Sequence, residues 1–482
     1  MVIEPNAGYA GMGNPPVAKG PGGDFASRAQ TDAALGKYRT IGGWVEKPLN
    51  LQRELEGEVD ADVIIVGAGF AGLNAAIALA QQGAKVVVIE REFAGFGASG
   101  RNAGYLAGGS GAKFDLFLDR IGREQTQKIV DYFEAGVSHV EGMLDAHGID
   151  CDYIDSGLIR VGIHPVHEAN IRENIRKAAD FGIKMQFLDW AAMRARGIPP
   201  AFLFGSYIKR GGTLDPGKYV MGLRRVALEA GVMLYENTEV QSWTTGRIVE
   251  VRTPRGIARA RFMVLATNAY TPQLGLLENK VVPMRVSAIE TEPLSPEQLA
   301  QLAWPNREGI VTAHRKMESH RLTARNTLVI TTKRVRYAFG SRTPNIPDSA
   351  AYLALIRAFR ERFPTLKDLT VSACWSGYIS VAGDALPVVG ATGERQNVFY
   401  AAGCSGHGVG AQSLVGRLLA ERIRGEEPAL LAGLHHKTPS TLPEPLRWCA
   451  VNGAMSMLGR MDDKVDRAAR AAAACDGRQA SS

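Results

Sequence analysis

The sequence is short of cysteine. Five occur among 482 residues, at 151, 374, 404, 449 and 475, and no Cys-x-x-Cys pair is present. So few, so widely spaced and odd in number, they argue against a disulfide framework and against a thiolate zinc site, and no metal is expected. Long hydrophobic runs are also missing, so no membrane-spanning helix is predicted. The opening stretch "MVIEPNAGYAGMGNPPVAKG" lacks the basic start and apolar centre of a signal peptide, which makes a cytoplasmic protein the expectation. Charge of one sign is nowhere blocked. Lys and Arg number 56 against 49 Asp and Glu, a net +7, but they are scattered, which argues against a nucleic-acid partner. No internal repeat is visible. What remains is ordinary globular composition, 45% hydrophobic and 22% charged, with length for two or three domains.

Residues 1–35 are rich in Gly, Pro and Ala without periodicity and read as a mobile arm. Next comes a βαβ unit: "DVIIV" (62–66), the helical spacing of 70–83, then "KVVVIE" (85–90). Amphipathic helices are predicted over 122–147 and 166–182. "GKYVMGLRRVALEAG" reads as a helix and "VMLYENTEVQSW" as the strand after it. The stretch 281–342 alternates β-like segments, and the last third returns to a strand (398–403) and a helix (409–425). The predicted class is α/β: a Rossmann-like nucleotide-binding domain with an inserted substrate domain. The former is expected from 36–150, 211–280 and 376–430, the latter from 151–210 and 281–375. A helical segment (431–464) and a disordered tail (465–482) complete the chain. The piece "LRWCAVNGAMSMLGRM" (446–461) is apolar enough for a docking or membrane-surface patch, though core or dimer packing explains it as well.

The nucleotide signal is Gly67-Ala68-Gly69-Phe70-Ala71-Gly72, between strand and helix, with Glu90 ending the next strand. Gly67 permits the tight turn, Gly69 lets a pyrophosphate approach the backbone, and Gly72 lets helix and strand pack closely. The phosphates would sit on the helix N-terminus and Glu90 would accept from a ribose diol. This unit alone leaves NAD and FAD open. The chain then runs through "GFGASGRNAGYLAGG" (95–109), which suits close passage beside a large flat ligand; a flexible surface loop is the rival reading.

The βαβ stretch and "GFGASGRNAG" resemble the FAD-dependent D-amino-acid-oxidase-like superfamily, and within it the γ-glutamylputrescine oxidase group. So do "GIDCDYIDSGLIRVG" (148–162), "VLATNAYTPQL" (264–274), "VVPMRVSAIETEPL" (281–294), "WSGYISVAGDALPVVG" (375–390) and "NVFYAAGCSGHGVG" (397–410), all collinear over roughly 40–460. The resemblance implies an FAD-binding domain, a substrate domain with an antiparallel sheet, and oxidation of an amine C–N bond. It implies that Gly67, Gly69, Gly72 and Glu90 hold the ADP part. Ser99, Arg101, Asn102 and Gly104 would lie along the pyrophosphate and isoalloxazine. Val240 would contact adenine through its backbone, and Thr267 and Asn268 would pass the cofactor again. Gly403, Ser405, Gly406, His407 and Gly408 would form the loop over the pyrimidine ring. Phe70, Ala71, Arg91, Gly97, Ala98 and Ala103 complete the expected cofactor-binding set.

The implied reaction is hydride-equivalent transfer from the carbon beside nitrogen to flavin N5, followed by imine hydrolysis, with O2 as acceptor. A dehydrogenase feeding a quinone or carrier protein, and a 2-hydroxy-acid oxidase, are the rivals. His407 is a candidate base as well as a cofactor-edge residue. Lys333, in "VITTKRVRYAFG", falls about where amino-acid-oxidising relatives carry a carboxylate-clamping Arg. A point charge there, and "GYISV" after Trp375, favour a longer amine with a remote acidic group over a simple α-amino acid. Trp375 and Tyr378 are candidate pocket walls. Cys374 lies near where some relatives attach flavin; non-covalent FAD is expected. A small-molecule amine, O2 or another acceptor are the expected partners, with a homodimer allowed.

Overall fold

The structure is a computed structural model that describes residues 2–3, 37–109 and 114–479; for 2, 3, 115, 116 and 474–479 it describes the backbone alone. Two nine-stranded sheets organise it. The first is built on parallel strands Gly256–Leu265, Gly57–Val66, Val86–Ile89 and Met233–Tyr235, in that spatial order. Val398–Ala402 joins Gly256–Leu265 in parallel from the other side. Val63–Val66 and Val86–Ile89 are buried on both faces, as continuous apolar strands of a parallel sheet must be.

The nucleotide helix, Phe70–Ala80, follows the first of these strands. It lies between the sheet and the helix Gly408–Ile423, and all but two of its 11 residues are buried. Two glycines permit this. A Cβ on Gly72 would sit 1.9 Å from the Gly67 carbonyl oxygen, and one on Gly416 would sit 2.1 Å from the Ala71 carbonyl oxygen. Ser99 caps the helix from a distance, its Oγ accepting from Phe70 N–H at 3.0 Å.

The second sheet runs Arg336–Tyr337, Val281–Thr291, Leu328–Thr332, Glu318–Leu322, Gly309–Thr312, Leu158–Gly162, Phe204–Ile208, Gln186–Leu188, with Val371–Ala382 on the long strand Val281–Thr291. All its pairings are antiparallel except Gly309–Thr312 with Leu158–Gly162. Its back packs on the helix Ser349–Arg362 in a cluster with Ile289, Ile330, Tyr352 and Phe359.

Four boundaries differ from expectation. Val371–Ala382 is one strand, paired from end to end with Val281–Thr291, so no domain break falls at 375/376. The stretch 232–243 is not one strand: it breaks after Tyr235, and Asn237 takes φ +56° in the turn. The tail expected to be disordered from 465 is helical, because Leu446–Gln479 is a single helix. Its alanine-rich end is a strong helix former, and Asp462 and Asp466 dock it onto the second sheet. Of the arm expected over 1–35, Val2–Ile3 forms a strand pairing with Trp243–Thr244, and the rest lies outside the described residues, as do 480–482.

Candidate active site

A cleft of about 3990 Å³ lies between the glycine-rich loops and the second sheet and extends to the C-terminal helix. Gly67, Gly69, Phe70, Ala71, Glu90, Arg91, Gly97, Ala98, Ser99, Arg101, Asn102, Ala103, Val240, Thr267, Asn268, Ser405, Gly406, His407 and Gly408 all line it. Gly72, Gly104 and Gly403 stand behind this lining: Gly72 against the Gly67 carbonyl, Gly104 against Arg321, and Gly403 at φ +70° against Val388.

The Glu90 carboxylate accepts from Ala68 N–H at 2.9 Å and Glu92 N–H at 3.1 Å, tying strand end to glycine turn. Burial raises its pKa above the ordinary carboxylate range, and the two amides oppose this. Next to it is a group that sequence reasoning missed. Glu236 is fully buried, receives Arg224 Nη2 at 2.6 Å and Nε at 3.0 Å, and accepts from Ala94 and Gln52 N–H. This pair fixes the turn after the second strand. Nothing in the local sequence distinguished "YENTE" from an exposed turn.

Residues 95–104 form a stapled loop. Asn102 donates to the Ala98 and Ser99 carbonyls and accepts from Gly104 N–H, while Trp44 Nε1 donates to the Asn102 carbonyl at 2.7 Å. Arg101 was expected along the pyrophosphate and isoalloxazine, and it lines the cleft. Its guanidinium donates to the carbonyls of Phe96, Ser376 and Thr40, because a buried cation with no carboxylate in ion-pair reach among the described residues needs acceptors. Burial lowers its pKa. Arg321, buried in "ESHRL" and also missed, donates to the carbonyls of Ala103 and Leu214 at 2.9 and 2.7 Å; burial pushes its pKa down to about 10. Both arginines fasten the loop to the second sheet.

The expected catalytic group is dispersed. Trp375 is fully buried, edge-on to Trp44 at 6.2 Å, and donates Nε1 to the Arg101 carbonyl; it does not line the cleft. It supports the loop from behind. Tyr378 does line the cleft, meets Tyr270 edge-on at 6.4 Å and donates to the Pro344 carbonyl. Lys333 is not in a strand: Leu328–Thr332 ends just before it and its φ is +49°. Its ammonium bridges buried Glu318 and Asp466, so it is not available as a carboxylate clamp. With His314 those carboxylates offer three donor atoms within 4.8 Å of one another, but Lys333 and Arg362 already neutralise them. His407 precedes the helix Gly408–Ile423 and rests on Phe133, ring centroids 5.6 Å apart. Cys374 points to the opposite face from Trp375, into the back cluster, where burial pushes its thiol up to about 12.

The donor set fits a dinucleotide cofactor. The first-turn amides of the nucleotide helix point at the cleft with the positive end of the helix dipole. A Cβ on Gly69 would meet Ser99 Oγ at 2.8 Å. The buried Asn268 Oδ1 and Gln412 Nε2 have no hydrogen-bond partner among the described residues, and both residues line the cleft. Unsatisfied buried atoms of opposite polarity are what an isoalloxazine edge, with its own donors and acceptors, would satisfy.

A Rossmann-type unit beneath a glycine cradle, walled by an antiparallel sheet, defines a flavin-dependent oxidoreductase. Residues 62–422 match the family model described as FAD dependent oxidoreductase, and the chain belongs to that family. It is 29% identical to the gamma-glutamylputrescine oxidoreductase of Escherichia coli, over 77% of this chain and 85% of that protein. It is 28% identical to the probable oxidoreductase OrdL of Haemophilus influenzae, over 79% of this chain and 86% of that protein. Among solved structures, glycine oxidase from Geobacillus kaustophilus superposes with TM-score 0.68 at 22% identity, covering 79% of this chain and all of that one. Among the described residues no helix is long and apolar enough to cross a membrane.

Proposed function

We propose that this flavoenzyme oxidises the C–N bond of an amine to an imine, which water then hydrolyses, with O2 taking the electrons. The cleft wall carries the reading. Opposite the glycine loop the second sheet presents Val286, Ala288, Val311, Ser319 and Thr331, and Ser319 and Thr331 are bonded to each other at 2.5 Å. These five positions carry no charge, which suits an amine that enters uncharged. Such an amine has a lone pair to stabilise the carbon losing hydride and needs no base at that carbon. A 2-hydroxy acid would need its hydroxyl proton removed. His407, on Phe133 at the cofactor edge, is assigned to the cofactor loop. When bound, FAD supplies the two-electron acceptor; the chain supplies orientation and exclusion of water. The amine-directed names of the E. coli and Geobacillus relatives agree with this reading, whereas fold alone would not choose a substrate.

The test is anaerobic titration of the yellow holoprotein with an amine library. Bleaching of the flavin absorbance by amines and not by 2-hydroxy acids is expected; the reverse overturns the assignment. Readmitted air should restore the colour with release of peroxide. Recovery only with a quinone would make the protein a dehydrogenase.

A further inference from the structure

The helix Leu446–Gln479 has two unlike sides. Toward the protein it presents Trp448, Val451 and Met455, which pack beside Val282, Met284 and Tyr337. Asn452 joins them, exchanging hydrogen bonds with the Tyr337 backbone at 3.2 and 3.0 Å. Asp462 and Asp466 continue that side down the helix. At about 100° per residue, the opposite side carries Leu446, Ala450, Gly453, Met457 and Lys464, with Arg460, Met461 and Arg467 close beside that line. All of these are exposed.

A single exposed apolar side chain needs no explanation, but a row of them does. From Leu446 to Gly459 the sequence holds one charge, Arg447, and it is buried. The outward side is therefore uncharged for about 20 Å of helix. Leu446 and Met457 each leave 57% of their surface in solvent. A Cβ on Gly453 would meet nothing, so no described residue covers the middle of the row. Leu442 and Phe339 are exposed near its start, Phe339 beside the Gly340 amide that donates to Glu444. Core packing thus accounts for the inward side of this stretch only.

The turns that follow are basic. Arg460, Lys464 and Arg467 have no hydrogen-bond or ion-pair partner among the described residues. Asp463, the acid among them, lies round the helix toward Lys316, whose positive charge it favours. This order chooses the occupant. A second copy of the helix laid parallel would set the three cations on their own counterparts. Laid antiparallel, it would set them on the apolar half, where the acid Glu444 already accepts from Tyr337, Gly340 and Trp448. A bilayer of anionic lipid suits both halves, since its phosphates attract the cations and its acyl boundary takes the apolar row. Among the described residues no helix is long and apolar enough to cross a membrane, so this one would lie in the plane.

We propose that the outward side of the C-terminal helix is a membrane-surface site. It lies flat in the headgroup layer of an anionic bilayer, with Leu446, Met457 and Met461 entering between the lipids and Arg460, Lys464 and Arg467 meeting their phosphates. The site is separate from the amine reaction and does not rest on it. Asn452, Met455 and Ser456, on the same helix, line the cleft, so docking brings the outer end of the cleft beside the membrane.

The experiment floats the holoprotein with vesicles of phosphatidylcholine alone and of phosphatidylcholine mixed equally with phosphatidylglycerol. Partition onto the mixed vesicles should be at least about tenfold stronger, as expected for three basic side chains at an anionic surface, and should weaken as salt is added. Equal partition onto both, or none onto either, overturns the proposal in the native chain alone. The triple variant Arg460→Gln, Lys464→Gln, Arg467→Gln should bind the mixed vesicles no better than the neutral ones. The double variant Leu446→Ser, Met457→Ser should lose about tenfold on the mixed vesicles. Flavin content and melting temperature confirm that both variants fold, as substitutions at exposed positions should. Binding unchanged in either variant places the contact elsewhere and overturns the proposal. A native protein that ignores vesicles but forms a dimer broken by the double variant makes this side a subunit interface, and the membrane site falls.

Discussion

Single side chains here act mostly on backbone. Ser99 illustrates it: its hydroxyl, expected at the pyrophosphate, accepts from Phe70 N–H at the head of the nucleotide helix. Ser99→Ala should cost about 1 kcal/mol of stability, the usual value of a cap. The protein should also lose flavin faster on desalting, measured as the ratio of flavin to protein absorbance. Glu236 is a stronger case. Removing its charge leaves Arg224 buried without a counterion and two amides weakly matched. Glu236→Gln should lower unfolding free energy by about 3–5 kcal/mol, read from urea midpoints. The residue types at the glycine cradle were legible in the sequence because their spacing is local. Lys333, Arg101 and Trp375 were not, since the partners that set their directions lie far along the chain: Asp466 for Lys333, Ser376 for Arg101, and Arg101 itself for Trp375.

Elements follow the same division. The βαβ unit could be read directly, because two buried strands, a helix and three glycines fall within thirty residues. The crossing of two distant helices could not. Gly416 meets the Ala71 carbonyl across that crossing, so Gly416→Ala must separate the helices and shift the first turn facing the cleft. The expected outcome is a largely flavin-free protein; full flavin content in the purified variant would contradict the packing. The C-terminal helix escaped prediction beyond 464 because its apolar contact there is thin, Val465 and Ala469 alone packing on the back cluster among the described residues, and charge does most of the docking. Asp462 accepts from Arg315 and Lys316 N–H at 2.9 Å each, and Asp466 receives Arg362 at 2.6 Å. Asp462, Asp466 and Arg470 do repeat every four residues, but charges at that spacing read equally well as a solvent-exposed face.

For the whole molecule, buried titratable groups set the response to acid. Burial pushes His139 and His167 down to about 4, against about 6.5 in an unfolded chain. Each is neutral in the fold, so its contribution is complete above pH 6.5 and is lost as pH falls toward 4. Burial disfavours the Asp466 anion, but His314, Lys333 and Arg362 outweigh it and hold the carboxyl below its usual range. Its contribution is lost in turn below about pH 4. His436 has the opposite sign: burial would lower it, but its bond to Asp384 raises it, so its smaller share disappears as pH rises. The melting temperature should therefore drop between pH 7 and 4, and a flat profile would contradict the buried neutral imidazoles. Finally, Trp44, Trp375, Arg101 and Arg321 all bind the glycine loop to the second sheet or to the segment packed on it. A clamshell motion would have to rupture this whole set at once. Catalytic traffic must then pass through a standing doorway, and tethering the two halves covalently at their rim should leave turnover intact.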